Sequence, residues 1–152
     1  MKTKALLMSV AAFLSFGNIA FAGDSELCRS EFAQYAFESA FRYCEKACSK
    51  YDGAGCTRLG WLYDQGRGVR QDFQEAQTYY EKACNLSDAD GCRYLGILYE
   101  VGWGGVRQNK KFAKEYYGRA CDLGSELGCY KACDLGSQKG CDEFRKLNEP
   151  VY

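Results

Sequence analysis

Apolar and polar residues alternate with the period of an α-helix along most of the chain. One apolar stripe contains four residues at helical spacing: Ala76, Tyr79, Tyr80 and Ala83. This stripe predicts a helix from about Asp72 to Cys84. Asp72 is a good N-cap, and Glu75 three residues later completes the sequence pattern of a capping box.

A second helix is predicted from about Gly91 to Glu100, with three side chains facing inward: Leu95, Leu98 and Tyr99. Gly96 lies inside this helix, and Gly60 occupies the same place one repeat earlier. Because a glycine inside a helix costs about 1 kcal/mol relative to alanine, its recurrence predicts the close approach of another backbone. Glycine-rich loops, Gly66 to Gly68 and Gly102 to Gly105, are predicted to end the second helices.

These two helices form a unit that repeats. Tyr-Tyr-Glu-Lys-Ala-Cys at 79–84 returns as Tyr-Tyr-Gly-Arg-Ala-Cys at 116–121, and Tyr-Cys-Glu-Lys-Ala-Cys at 43–48 is an earlier copy. The last cysteine of this segment recurs after 36 residues and then after 37, a period typical of two-helix solenoid repeats. The sequence therefore predicts an all-α fold, a right-handed α-solenoid with about three helix-turn-helix repeats over residues 37–141.

Both ends of the predicted solenoid depart from this repeat. Residues 23–36 are predicted to form an N-terminal cap. Cys121 and Cys133 are only 12 residues apart, so one short helix, about Leu127 to Leu135, must serve two hairpins. Residues 142–152 are predicted to be a C-terminal tail that adds a last helix. Such a compressed end is typical of solenoids, whose terminal repeats are usually atypical.

Eight of the ten cysteines form pairs with one spacing of eight residues: Cys48 and Cys56, Cys84 and Cys92, Cys121 and Cys129, and Cys133 and Cys141. On a continuous helix such residues would be about 12 Å apart, whereas a disulfide needs Cα atoms within about 7 Å. The chain must therefore fold back between them. We predict that each pair forms a disulfide that clamps the end of a first helix to the start of a second.

Cys28 and Cys44 remain outside this rule, and a disulfide between them requires a chain reversal near residues 30–36. The alternative is a zinc site, because Cys44 and Cys48, like Cys129 and Cys133, have the i, i+4 spacing of one helical face. The constant eight-residue spacing favours disulfides, and so does the export to an oxidising compartment that the N-terminal residues described next predict. We predict a fifth disulfide, and neither a metal nor a cofactor.

The first 22 residues have the pattern of a secretory signal peptide. Lys2 and Lys4 precede an apolar run at 5–16, and Ala-Phe-Ala at 20–22 predicts cleavage before Gly23. The alternative, a membrane anchor, needs about 20 apolar residues. The sequence thus predicts an exported protein, periplasmic or secreted, with no membrane span. Without the two lysines, 18 basic residues face 20 acidic ones, and this balance argues against nucleic-acid binding.

Candidate catalytic groups are scarce. The chain has no histidine, and none of the serines after residue 22 begins a Ser-x-x-Lys motif. Glu75 and Glu81 could serve as an acid and a base, but on repeat helices such residues usually face solvent. Catalytic residues therefore stay unknown. Trp103, in a glycine loop, and Tyr130 are the candidate binding residues, because exposed aromatic side chains often anchor interfaces.

The units resemble SEL-one-like repeats, which are related to tetratricopeptide repeats. The shared motifs are Tyr-Tyr-x-Lys-Ala-Cys-x-Leu, then Gly-Cys-x-x-Leu-Gly-x-Leu-Tyr, then Gly-x-Gly-Val-x-Gln-Asp. The cysteine spacing resembles the Helicobacter cysteine-rich protein family, which is secreted by epsilon-proteobacteria. The similarity covers about Phe37 to Cys141, and the chain departs from it at Cys28, at Cys44 and in the shortened last unit.

The resemblance implies penicillin binding, weak β-lactamase activity and interaction with host cells. The residues themselves favour a monomeric scaffold that binds a protein or peptide, with a peptidoglycan fragment or a β-lactam as further candidate ligands, because solenoids offer an extended concave surface. One alternative is a β-lactamase-like hydrolase or penicillin-binding protein, which only the resemblance supports. Another is a purely structural envelope protein.

Overall fold

The computed structural model describes residues 23–149, and within them every regular element is an α-helix. The predicted signal peptide at 1–22 lies outside the described residues. The helices are α1 (Asp24–Ala33), α2 (Phe37–Ser49), α3 (Gly53–Gln65), α4 (Phe73–Asn85), α5 (Ala89–Val101), α6 (Lys110–Asp122), α7 (Glu126–Asp134) and α8 (Gln138–Leu147). The predicted all-α solenoid is confirmed. In the described part of the chain, no helix is both long enough and apolar enough to cross a bilayer.

The helices stack in two layers. Each helix packs on the next, and in addition α1 packs on α3, α3 on α5, α5 on α7 and, at the C-terminal end, α6 on α8. Within residues 23–149, α2 and α4 make no comparable contact, and neither do α4 and α6. Helices on the inner side of a curved stack lie closer together than those on its outer side. The odd-numbered helices α1, α3 and α5 therefore form the inner layer.

Polar side chains fix where most of the helices begin. Asp72 Oδ1 accepts hydrogen bonds from the backbone N–H groups of Gln74 and Glu75, at 3.0 and 3.1 Å. The predicted capping box is nevertheless wrong in its second half, because the Asp72 N–H donates to the Tyr63 carbonyl at 2.9 Å instead of to Glu75. The second helix of this unit begins at Ala89 rather than at Gly91, because Asp88 is its N-cap.

Disulfides connect five of the seven successive helix pairs. The four eight-residue pairs are bonded as the spacing predicts, and Cys28 is bonded to Cys44. The two helices of a clamped hairpin approach closely because the glycine before the second cysteine faces the alanine before the first. A Cβ on Gly91 would lie 2.5 Å from the Cβ of Ala83. Each eight-residue clamp therefore combines an Ala-Cys with a Gly-Cys segment, which the repeat supplies.

The two remaining interfaces, α3 with α4 and α5 with α6, are packed around a buried tyrosine. A Cβ on Gly60 would lie 2.8 Å from the Tyr80 ring, and one on Gly96 would lie 2.8 Å from the Tyr117 ring. Both tyrosines are fully buried. The predicted approach of another backbone is found at Gly60, where a Cβ would lie 3.2 Å from the Ala76 carbonyl oxygen, but at both glycines the nearest atoms belong to the tyrosine ring.

The five disulfides link the helices α1 to α8 into three covalent blocks, which meet at the two tyrosine-packed interfaces. Cys44 and Cys48 bond α2 to α1 and to α3, and Cys129 and Cys133 bond α7 to α6 and to α8. Helices α4 and α5 form the middle block through Cys84 and Cys92. In the repeat, Cys44 stands where the other units have Tyr80 and Tyr117. A disulfide thus replaces tyrosine packing at the interface between α1 and α2.

The C-terminal end is compressed as the sequence predicts, with α7 shared by two hairpins. The last helix differs from its predicted position. It begins at Gln138, because the Ser137 side chain accepts a hydrogen bond from the Gly140 N–H at 3.1 Å. Helix α8 therefore includes Cys141 and crosses the predicted boundary between the repeats and the tail at 142–152.

Candidate functional site

A groove of about 300 Å³ lies on the inner layer, where α1, α3 and α5 meet. We call it the inner groove, and it is lined by Phe32, Ala54, Thr57, Arg58, Trp61, Asp88, Asp90 and Tyr94. The α3 residues come from successive turns of that helix, which aligns them along one line. The Phe32 and Trp61 rings pack edge to face with centroids 5.0 Å apart. An aromatic wall thus closes the end of the groove next to α1.

Three of the polar side chains that line the inner groove, Thr57, Asp88 and Asp90, are held by hydrogen bonds. Thr57 Oγ1 donates to Asp88 Oδ1 at 2.6 Å, and Asp90 is paired with Arg93 at 2.9 Å. Arg58 forms no ion pair with any residue in 23–149. The groove therefore offers one half-buried guanidinium beside aromatic rings, an arrangement suited to a ligand with a carboxylate next to an apolar group.

A carboxylate stands at the end of both central inner helices, Asp64 in α3 and Glu100 in α5. The Tyr80 hydroxyl donates to Asp64 Oδ2 at 3.4 Å, and the Tyr117 hydroxyl donates to Glu100 Oε2 at 2.5 Å. Lys131 Nζ also binds Glu100, at 3.2 and 3.3 Å from its two oxygens. The repeat thus carries the same tyrosine–carboxylate pair twice but supplies a cation to only one of them.

Asp64 is the less well satisfied of the two carboxylates. Its residue is 7% exposed, and Oδ1 is buried without a hydrogen-bond partner among the described residues. Burial raises the pKa of the Asp64 carboxyl, and the nearby polar side chains of Gln65 and Tyr80 only partly oppose this. An ionised carboxylate in this position costs stability.

We expect Asp64→Asn to raise the midpoint of thermal unfolding at neutral pH by about 2–4 °C. The folded protein holds the Asp64 proton to a higher pH than the unfolded chain does, so wild-type stability falls as the pH rises through the window between the two pKa values. Asparagine removes this loss. Below the ordinary carboxyl pKa of about 4 the two proteins should unfold at nearly the same temperature. Circular dichroism melts across the acid and neutral range measure this, and an unchanged midpoint at neutral pH contradicts it.

The two aromatic residues singled out from the sequence lie apart from the inner groove. Trp103, in the loop between α5 and α6, is 47% exposed and lies 6.2 Å from the Phe73 ring between centroids. Tyr130, on α7, is 48% exposed and packs on Phe144 at 5.5 Å. Their role in binding stays a prediction. Residues 23–149 also hold no group of three or more His, Cys, Asp or Glu side chains placed to bind a metal.

The residues that line the inner groove are not among the binding candidates that the sequence predicts. Arg58 and Trp61 lie on the second helix of a repeat, which is α3. Their spacing in the sequence does indicate a shared face. Ala54, Arg58 and Trp61 recur every three or four residues, on a different face of the helix from the buried Leu59 and Leu62.

Comparisons with known proteins agree with this architecture. A family model described as Sel1 repeat matches residues 36–52, 53–88 and 89–125, which together are more than half of the chain. The matched repeat therefore starts with an inner helix, α3 or α5, and ends after the outer helix that follows. Sel1 repeats are protein-interaction modules. A comparison with curated protein sequences finds no match.

Three solved structures share the fold. A Sel1 repeat protein from Oxalobacter formigenes is 24% identical with a TM-score of 0.74, and the match covers 82% of this chain and 53% of that one. The chain thus spans about half the length of that relative. The protective antigen c5321 of uropathogenic Escherichia coli strains, which displays an SLR fold, is 21% identical with a TM-score of 0.62, over 71% of this chain and 24% of that one.

The third structure shares the cysteine-rich character as well. Helicobacter pylori cysteine rich protein B is 33% identical with a TM-score of 0.57, and the match covers 75% of this chain and 97% of that chain. The repeat match, the disulfide-clamped hairpins and this similarity lead to one conclusion: the chain belongs to the Sel1 repeat family, among its Helicobacter cysteine-rich protein members.

Proposed function

We propose that this protein is an exported scaffold that binds a peptide segment of a partner protein in the inner groove. The observation that carries the proposal is Arg58, a guanidinium without an ion pair in the described structure, which lines the groove together with Trp61 and Tyr94. A short peptide with a carboxylate beside an aromatic or aliphatic side chain matches this chemistry.

The rigidity of the groove supports binding rather than passive structure. Its three helices lie in two disulfide-linked blocks, and the Thr57–Asp88 hydrogen bond crosses from one block to the next. Asp88 also caps α5 by accepting from the Gly91 N–H at 2.8 Å. A groove that is already ordered loses little conformational entropy when a ligand binds.

Export is supported by the chemistry of the cysteines. Five disulfides form within residues 23–149, and no cysteine there is free. Disulfides of this density persist in the periplasm and outside the cell, whereas cytosolic thiols are kept reduced. The hydrolase alternative gains no support from the family match, which is to a protein-interaction module.

Selection of random displayed peptides on the oxidised protein tests the proposal. We expect the enriched peptides to change the fluorescence of Trp61 in a Trp103→Phe background, where Trp61 is the last tryptophan. Arg58→Ala should weaken their binding by about tenfold or more, because a charge-assisted hydrogen bond contributes about 1.5–3 kcal/mol.

The matched control is Arg42→Ala. Arg42 is exposed on α2, in the outer layer, and forms no ion pair with another described residue, so its loss should leave affinity unchanged. Peptides that bind both arginine variants equally well, or a selection that enriches no peptide, would refute the proposed use of the groove.

A further inference from the structure

The carboxylate of Asp64 lines a second cleft, which the proposed peptide groove does not include. This cleft has a volume of about 260 Å³ and is lined by Asp64, Gln65, Gln71, Phe73, Trp103 and Gly104. We call it the Asp64 cleft. Its walls are the end of α3, the start of α4 and the glycine loop of the next repeat, so two successive repeats build it.

The glycine loop is held against the cleft by close packing. Gly104 has φ near +59°, and a Cβ there would lie 2.2 Å from the Phe73 side chain. Only glycine lets the loop approach this closely. The contact seats Trp103 beside Phe73, with ring centroids 6.2 Å apart and planes at 48°. The result is an aromatic rim over a buried carboxylate.

The second tyrosine–carboxylate pair shows what the Asp64 cleft lacks. In the next repeat Lys131 Nζ lies 3.2 Å from Glu100 Oε1, and the ammonium partly neutralises that carboxylate. The repeat position of Lys131 is taken by Tyr94 in the unit before it, and Tyr94 instead stacks on Tyr80 at 5.1 Å. Among residues 23–149, Asp64 therefore has the tyrosine partner but no cation.

We propose that the Asp64 cleft is a subsite for a lysine side chain of the bound partner protein. The aliphatic part of the lysine packs against Phe73 and Trp103, and its ammonium donates to Asp64 Oδ1, the oxygen without a partner. The ammonium of the partner's lysine gives Asp64 the neutralising positive charge that Lys131 gives Glu100. Because Oδ1 is buried, the exposed side chain of Gln65 at the edge of the cleft moves aside when the lysine enters.

The location of the cleft fits an extended partner. Ala54, Arg58 and Trp61 line the inner groove, and Asp64 follows three residues after Trp61 on the same helix. One segment can therefore place a carboxylate at Arg58 and a lysine at Asp64. In this respect the inference rests on the proposed function, but the cleft itself can be tested without any partner protein.

A small probe isolates the cleft. In a Trp61→Phe variant Trp103 is the last tryptophan, so its indole signals report the Asp64 cleft alone. We expect N-acetyl-lysinamide to shift the Trp103 indole N–H resonance in a saturable way. N-acetyl-norleucinamide, which lacks the ammonium, should bind at least about tenfold more weakly.

Asp64→Asn is the decisive variant, since it keeps the size of the side chain and removes the charge. It should weaken lysinamide binding by about tenfold or more, whereas Glu126→Gln, which removes an exposed charge on α7, should not alter it. No response of Trp103, or a response that survives in Asp64→Asn, would overturn the subsite. Because the peptide selection reads Trp61 and Arg58 instead, failure of either experiment leaves the other result intact.

Discussion

Reduction of all five disulfides is expected to unfold the protein at room temperature. Four of the bonds close loops between cysteines eight residues apart, and Cys28–Cys44 joins cysteines 16 apart. The chain-entropy model gives about 2.5 kcal/mol for each short loop and about 3 kcal/mol for the longer one, or about 13 kcal/mol together. Since domains of this size have a net stability of about 5–15 kcal/mol, little or none remains.

Far-ultraviolet circular dichroism and urea titration before and after reduction measure this loss. A stepwise control is the double variant Cys84→Ser/Cys92→Ser, which opens the middle block and should cost about 2.5 kcal/mol while the protein still folds. A reduced protein that keeps its helical signal and its cooperative unfolding would show that the buried tyrosines and leucines hold the solenoid without sulfur.

Gly96→Ala is expected to destabilise the oxidised protein by about 1–3 kcal/mol. The new Cβ would lie 2.8 Å from two carbon atoms of the Tyr117 ring. Tyr117 is fully buried and its hydroxyl is bound to Glu100, so the ring has no free space to move into. The two helices must separate, and the interface between α5 and α6 has no disulfide to hold it together.

Gly118→Ala is the matched control, because it makes the same chemical change in the helix that carries Tyr117. A Cβ on Gly118 meets no heavy atom within 4 Å. Alanine there should stabilise the protein by about 1 kcal/mol, through helix propensity alone. Measured by urea unfolding, the two variants should therefore change the free energy of unfolding in opposite directions. Stabilisation by both would mean that the Tyr117 ring does not depend on a glycine at 96.

The repeat pattern predicts the fold well because each rule that it uses is local. Helix periodicity, the N-cap at Asp72 and the cysteine spacing act within about ten residues, and all three hold in the structure. The errors arose where an atom from another element takes over a role. Tyr63 from α3 accepts the hydrogen bond expected to go to Glu75, and the Tyr80 ring lies closer to Gly60 than the backbone that was expected there.

The candidate site is harder to predict, because it is made by helices from different repeats. Arg58 looks like any surface arginine until α1 and α5 place Phe32 and Tyr94 around it. Asp64 looks like a solvated acid at a helix end, yet packing of α4 and the next glycine loop buries it. The spacing in the sequence determines which face of a helix a residue occupies. Which neighbouring helices and loops cover that face depends on how the repeats stack.

The three covalent blocks decide what a single peptide-bond cleavage does to the molecule. A protease that cuts inside an eight-residue clamp leaves both fragments joined by sulfur. A cut within residues 57–83 or 93–120 crosses no disulfide loop and severs the chain. These two stretches contain the exposed glycine loops, at Gly68 and at Trp103. The resistance of the protein to proteolysis therefore depends on two short loops. The loop that contains Trp103 also forms part of the Asp64 cleft, where a bound partner would shield it from proteases.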